Sequence, residues 1–318
     1  MPAMVGERSE EGFAALTLES EARGGLVAVF VPEAGMICCS LRHRGEELLG
    51  QRNGLRAYVD HYSTMGIPFL HPWANRLGAD RFELAGRRVD LTLPDLPLKH
   101  DDAGLPLHGL LPAASGWRVE RHSELEYGGV LAASFDFAAY PHLLEAFPFP
   151  QLVEIEATLV EGSLEIATTV TATGAVAVPI AFGFHPYLCL PGLPRAEWML
   201  EAPVHEHLVL DDRGLPTGAR EPIAIEPGPL GERTYDDAFL APASGAAFTL
   251  AGPDRRLELR MDSGYPFTQI YAPAELDAVA IEPMTAPTDA LLTDGPELTF
   301  VPPGESFSAA FSIQIFES

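Results

Sequence analysis

The chain has 318 residues, 47% of them hydrophobic, with 20 Lys and Arg against 45 Asp and Glu, giving a formal net charge of −25. That field repels polyphosphate and offers no basic cluster, so it excludes nucleic-acid binding and disfavours an anionic membrane surface. No run approaches the eighteen or so apolar residues of a membrane helix, and polar, acidic Met1 to Glu11 lacks the basic-then-apolar order of a secretory leader.

Glycine and proline, 29 of each, interrupt nearly every segment, and short β-rich runs lie between them. The first is Leu26–Val31. Two corner-rich stretches follow, His71-Pro72-Trp73-Ala74-Asn75-Arg76-Leu77-Gly78 and Leu105-Pro106-Leu107-His108-Gly109-Leu110. Tyr140–Phe147 is the best short helical candidate. Leu152–Leu159 and Leu164–Thr173, joined through Glu161-Gly162-Ser163, predict a hairpin with a glycine-containing turn. Leu257–Met261, Phe267–Tyr271, Ala278–Glu282 and Phe307–Phe316 complete the strands. Apolar and polar residues alternate most clearly over Thr168–Thr173 and Ser308–Ile315, as in half-buried antiparallel strands. No linker, composition shift or repeat period divides the chain. The expectation is one all-β domain over 1–318, a large antiparallel β-sandwich. Cys38, Cys39 and Cys189 are odd in number and lack metal-ligand spacing, which points to a reducing cytoplasm.

Two segments carry the candidate chemistry. In Phe184-His185-Pro186-Tyr187 the proline biases His185 towards extended backbone and aromatic rings flank it, while Gly183 leaves room for a close approach. A core histidine with one hydrogen bond would look the same. In Ile281-Glu282-Pro283-Met284-Thr285 a carboxylate ends an apolar strand, where desolvation would raise its pKa towards that of a general base. A solvated glutamate at a strand end is the competing reading. Trp73, Asn75 and Arg76 within four residues suit a sugar, the aromatic face meeting C–H groups and the polar tips meeting hydroxyls. Tyr235-Asp236-Asp237-Ala238-Phe239 is an acidic turn. His205-Glu206-His207 has strand spacing for a metal but no third ligand nearby, so no metal is expected. The chain has no GxGxxG opening a βαβ unit, no GxxxxGK[ST] and no GxSxG, which removes support for nucleotide-cofactor and serine-hydrolase chemistry.

Together these segments resemble the aldose 1-epimerase (galactose mutarotase) family. The matches are Ala74-Asn75-Arg76 with Gly78, Leu107-His108-Gly109, His185-Pro186-Tyr187, Asp236-Asp237-Ala238-Phe239 and Ile281-Glu282-Pro283-Met284, in the family's order from about residue 70 to 290. The His-Pro-Tyr and Glu-Pro-Met-Thr versions are similar to the bacterial mutarotase-like branch, and Leu110 stands where the galactose enzymes usually carry a second glycine. The resemblance implies a β-supersandwich without a metal or organic cofactor, acting on a free monosaccharide as a monomer or homodimer. It implies Glu282 as the base for the C1 hydroxyl and His185 as the acid for the ring oxygen. Arg76, His108 and Asp236, with neighbouring Asn75 and Tyr187, would hold the sugar. Counting back from Phe239 leaves Asp236 and Asp237 hard to separate.

Three other functions stay open on the sequence. One is a non-catalytic sugar-binding or regulatory protein on the same fold. Another is a glycoside hydrolase using Asp236 and Glu282. The third is a hexose 6-phosphate 1-epimerase, which would need arginines converging near the sugar's far end, with Arg42, Arg44, Arg52 and Arg56 as candidates.

Overall fold

The computed structural model describes residues 4–21, 25–242, 246–293 and 295–317. Every pairing between its strands is antiparallel. A nine-stranded sheet runs, in spatial order, through Arg118–Leu125, Gly128–Asp136, Gln151–Val160, Ser163–Ala172, Ser306–Glu317, Arg255–Ser263, Ala247–Ala251, Met199–Glu201 and Gly228–Pro229. The sheet that carries the site runs through Pro216–Pro222, Glu206–Leu210, Tyr235–Leu240, Phe267–Ala272, Val279–Met284, Gly183–Phe184 and Phe69–Leu70, and Tyr187–Leu188 also pairs with Val279–Met284. A third sheet, of five strands, covers Val5 to Glu47.

Alternation along the strands explains the layering. In Gln151–Val160 the residues Val153, Ile155, Ala157 and Leu159 are buried while Glu154 and Glu156 face solvent. The inward set joins Ile166, Phe311 and Ile313 on the same sheet and Ile270, Val279 and Ile281 from the site-bearing sheet in one continuous apolar core. Each fully buried side chain of this kind contributes about 1.5–3 kcal/mol of hydrophobic stabilisation. The predicted strands fall within a few residues of the observed ones. The hairpin turns at Glu161 and Gly162, both with positive φ, at 51° and 78°. Tyr140–Phe147 contains the short helix Pro141–Ala146.

Two expectations need correction. The strand around Ile281 does not end at Glu282 but continues through Pro283 to Met284. Pro283 withholds a donor, yet Gln269–Glu282 and Phe267–Met284 pair on either side of it and keep the register. Gly54–His61 forms a helix that the expected elements omit; Leu55 and Tyr58, three residues apart on one face, are its buried residues. Among the described residues no helix is long and apolar enough to cross a membrane. Cys38, Cys39 and Cys189 are free thiols.

Candidate active site

The site lies on the face of the second sheet that points away from the core. Along Val279–Met284, Val279 and Ile281 enter the large core, so Ala280, Glu282 and Met284 project to the other side. Loops cover that side, and all six residues are buried. On the adjoining segment, Gly183 pairs with Met284 and Tyr187 with Ala280. His185 therefore falls opposite Glu282, in the gap between two short strands. Two prolines shape this gap, because Pro186 and Pro283 each remove a ladder donor. The amide of His185 instead donates to the Pro68 carbonyl at 3.2 Å, and Ile281 donates to the Pro186 carbonyl at 3.3 Å.

Close backbone approach holds the segments together. A Cβ on Gly183 would stand 2.6 Å from the Pro283 carbonyl oxygen and 2.9 Å from Ala74 Cβ. The room left by Gly183 is thus taken by the neighbouring backbone. Ala74 donates to the Ala181 carbonyl at 2.7 Å, and His108 donates to the Asn75 carbonyl at 2.9 Å. Asn75 and His108 are both left-handed, with φ of 59° and 67°, a costly conformation that persists only where surrounding contacts impose it.

His185 Nε2 lies 3.1 Å from Glu282 Oε1, with the side chains 5% and 2% exposed. Burial pushes the Glu282 carboxyl up, Asp236 adds to the rise and Arg76 opposes it. Burial pushes His185 down, assisted by His108 and Arg52. Both directions favour an uncharged carboxyl–imidazole pair over a buried ion pair. The Tyr187 ring stacks on His185 with centroids 4.3 Å apart and planes 18° apart. Its hydroxyl meets Thr64 Oγ1 at 2.7 Å and His185 Nε2 at 3.3 Å, and accepts from Arg52 Nη1 at 2.8 Å. His108 packs edge-on to His185 at 5.5 Å, and burial followed by Lys99, Arg76 and Arg52 lowers its pKa to about 3. It enters the site as a neutral imidazole.

One cavity of about 240 Å³, at the small end of ligand pockets, is lined by all seven sequence-predicted site residues: Asn75, Arg76, His108, His185, Tyr187, Asp236 and Glu282. Arg76 is fixed at its mouth by Asp101, with Nε to Oδ2 at 2.7 Å, and by Asn75 Oδ1 at 3.2 Å. Asp236 and Asp237 separate by strand alternation. Asp236 reaches Gln269 Nε2 at 2.7 Å and lines this cavity, whereas Asp237 shares the parity of core-facing Phe239 and meets His207 Nε2 at 3.3 Å. Leu110 is fully buried in the large core, so the departure from the galactose enzymes does not touch the cavity.

Sequence reasoning missed Thr64, Lys99, Asp101, Gln269 and Tyr271. All but Gln269 line the cavity. Gln269, 1% exposed, stands opposite Glu282 on the neighbouring strand. One signal was present in the sequence, since Lys99 is the only lysine of the chain. The four candidate phosphate arginines do not converge. Arg42 pairs with Glu47, Arg44 with Glu317, and Arg56 packs on Phe13 and donates to the Glu11 carbonyl. Of the four, Arg52 alone lines the cavity.

An antiparallel sandwich thus buries an imidazole and a carboxyl side by side in one cavity, together with Arg76, Asn75, His108 and Asp236. The family model for aldose 1-epimerase matches residues 21–314, and the chain belongs to that family. It is similar to the uncharacterised protein YihR of Escherichia coli (strain K12), with 23% identity over 252 residues that cover 77% of each chain. In fold it matches a galactose mutarotase-like protein from Clostridium acetobutylicum, at TM-score 0.85 and 16% identity over 99% of both chains. A galactose 1-epimerase from Lactobacillus acidophilus superposes at TM-score 0.78 and 14% identity, again over 99% of both.

Proposed function

We propose that the protein interconverts the α and β anomers of a free aldose by acid/base-catalysed ring opening and closure. The observation that carries this reading is the 3.1 Å contact of His185 Nε2 with Glu282 Oε1 on the floor of a sugar-sized cavity. The C1 hydroxyl and the ring oxygen sit on one carbon, so a donor and an acceptor that are neighbours in the empty site can each take one of them. Glu282, as carboxylate, accepts the proton of the C1 hydroxyl, and His185, as imidazolium, gives one to the ring oxygen. The C1–O5 bond breaks and C1 becomes an aldehyde. The sugar has then relayed one proton from His185 to Glu282, leaving both uncharged. That is the state burial favours, so the charged tautomer that starts the transfer is the minor form of the pair and the transfer restores the resting one. Rotation about C1–C2 and reversal of both transfers close the other anomer, with no net proton consumed.

A non-catalytic sugar binder on the same fold has no use for the buried pair. Polarimetry on freshly dissolved α-glucose and α-galactose separates the two readings. Glu282→Gln should slow anomerisation about a hundredfold to ten-thousandfold while leaving sugar affinity within about tenfold. Equal rates in variant and wild type would remove Glu282 as the base.

A further inference from the structure

The proposed ring opening leaves an aldehyde in the cavity, and one amine lines that cavity. It belongs to Lys99, the only lysine of the chain. The other Lys-or-Arg positions hold arginine, whose guanidinium stays charged and is no nucleophile at neutral pH. The backbone sets where the amine sits. Lys99–His100 pairs with Pro106–Leu107, and Lys99 stands opposite Leu107, the residue before His108. With Tyr62, Thr64 and His108, Lys99 also closes a narrow recess beside the cavity.

The amine is weakly held. Its Nζ has the Tyr62 carbonyl at 3.5 Å, the long limit of a hydrogen bond, and no ion pair with a carboxylate among the described residues. Arg76, in the same cavity, is by contrast paired with Asp101 at 2.7 Å. Burial and then the Arg52 charge lower the Lys99 pKa, and Asp102 offsets this in part. More of the amine is therefore neutral, and nucleophilic, than on an exposed lysine. Lys99 in turn is the largest cause after burial of the fall of His108, so a neutral imidazole stands within reach of it.

We propose that Lys99 is a modification site at which the open-chain aldehyde of a reducing sugar is captured as an imine inside the cavity. The assignment rests on the anomerase reading for the supply of aldehyde. Neutral Nζ attacks C1, a C–N bond forms, and the carbonyl oxygen takes one proton from nitrogen to give a carbinolamine. The second nitrogen proton then leaves with that hydroxyl as water, and a C=N bond remains. The His108 imidazole, acting as neutral base, carries these protons. Nothing is oxidised or reduced, and water reverses the step. While the imine lasts, the bound sugar blocks the cavity, so the sugar that the site opens also slows it.

The test incubates the full chain with glucose and, separately, with 2,5-anhydromannose, an aldehyde whose C1 cannot close on its own ring oxygen. Cyanoborohydride in each reaction reduces an imine to a stable amine. Peptide mass mapping separates Lys99 from the N-terminal amine, and the urea-unfolded chain gives the rate of the same lysine outside its cavity. Both sugars should label native Lys99 at least about tenfold faster than unfolded Lys99, with anomerisation lost as the label accumulates. Glu282→Gln should lose the glucose label and keep the anhydromannose label. If anhydromannose labels native Lys99 no faster than the unfolded chain, the imine site is wrong, and polarimetry decides the anomerase reading by itself. If glucose anomerises but leaves Lys99 unlabelled, the aldehyde does not reach the amine, and the imine site falls while the anomerase reading stands. If anhydromannose labels Lys99 fast while glucose neither anomerises nor labels it, the amine site stands and the anomerase reading falls.

Discussion

Asp236 and Glu282 lie on strands once removed from each other, and Gln269 on the strand between them joins the two: it stands opposite Glu282 and donates from Nε2 to Asp236 Oδ1 at 2.7 Å. Asp236 is open to solvent, yet its charge is the largest contribution after burial to the rise of Glu282. Asp236 therefore adds to the proton affinity that burial gives the Glu282 carboxyl.

Asp236→Asn removes that negative charge and lowers the Glu282 pKa. In the working form the buried pair holds one proton, and activity is lost on the acid side when it takes a second. The acid limb of kcat/KM should move to lower pH, and KM should rise if Asp236 also holds the sugar. A pH–rate series by polarimetry checks this. An acid limb that stays in place or moves upward would show that Asp236 does not act on the base.

Tyr187→Phe separates two parts of the same side chain. The ring stacked on His185 remains, while the hydroxyl shared with Thr64, His185 and Arg52 is lost. Loss of one such hydrogen bond near a charged group corresponds to about 1.5–3 kcal/mol, so kcat should fall about tenfold to a hundredfold. The melting temperature should change little, because Arg52 and Thr64 still bond each other. An unchanged kcat would mean that the hydroxyl does not position the imidazole.

His71 makes a prediction about acid stability. It is 1% exposed, stacked on Phe69 at 5.4 Å, and burial lowers its pKa to about 3 in spite of neighbouring Gln151. The folded-state value is depressed, so the stability is complete above the unfolded value of about 6.5 and is lost as pH falls from there towards 3, where only the unfolded chain takes the proton. His108 and His185 act with the same sign. His71→Phe keeps an aromatic ring against Phe69 and removes one such proton. Denaturant unfolding at pH 7 and pH 4.5 should show a smaller loss of stability in the variant, by on the order of a few kcal/mol. An equal loss in both proteins would assign the acid sensitivity elsewhere.

The fold and the segments that bring His185 and Glu282 together were legible because both are written in local signals. Alternation over Gln151–Val160 and Ser306–Glu317 survives without any tertiary knowledge, since one face of each strand meets the core. The prolines after His185 and Glu282 mark where ladder donors are missing, and those two gaps turn out to face each other. Gln269 carries no such mark. Its importance comes from standing opposite Glu282, a pairing between separate strands that the residue's own neighbourhood does not encode. Thr64 and Arg52 likewise reach the site through Tyr187, a contact spanning more than a hundred residues. Asp236 and Asp237 could be told apart only once parity with Phe239 was fixed by the sheet.

Gly183→Ala tests whether the distance between the two segments sets the chemistry. An added Cβ would meet the Pro283 carbonyl oxygen, a backbone atom, at 2.6 Å and Ala74 Cβ, which has no rotamer to change, at 2.9 Å, so neither can swing aside as a flexible side-chain tip would. Relief requires the segment at 183–185 to move away from Val279–Met284, the strand bearing Glu282. Such overpacking costs about 1–3 kcal/mol of stability. The same movement lengthens the 3.1 Å contact of His185 Nε2 with Glu282 Oε1, and misplacement of about 1 Å in a reacting pair can cost a hundredfold in rate. Calorimetry and polarimetry on one preparation should show a modest fall in melting temperature with a kcat loss out of proportion to it. A variant that loses the stability but keeps wild-type kcat would show that the pair is positioned by the loops covering it, and that the close backbone contact at Gly183 serves folding alone.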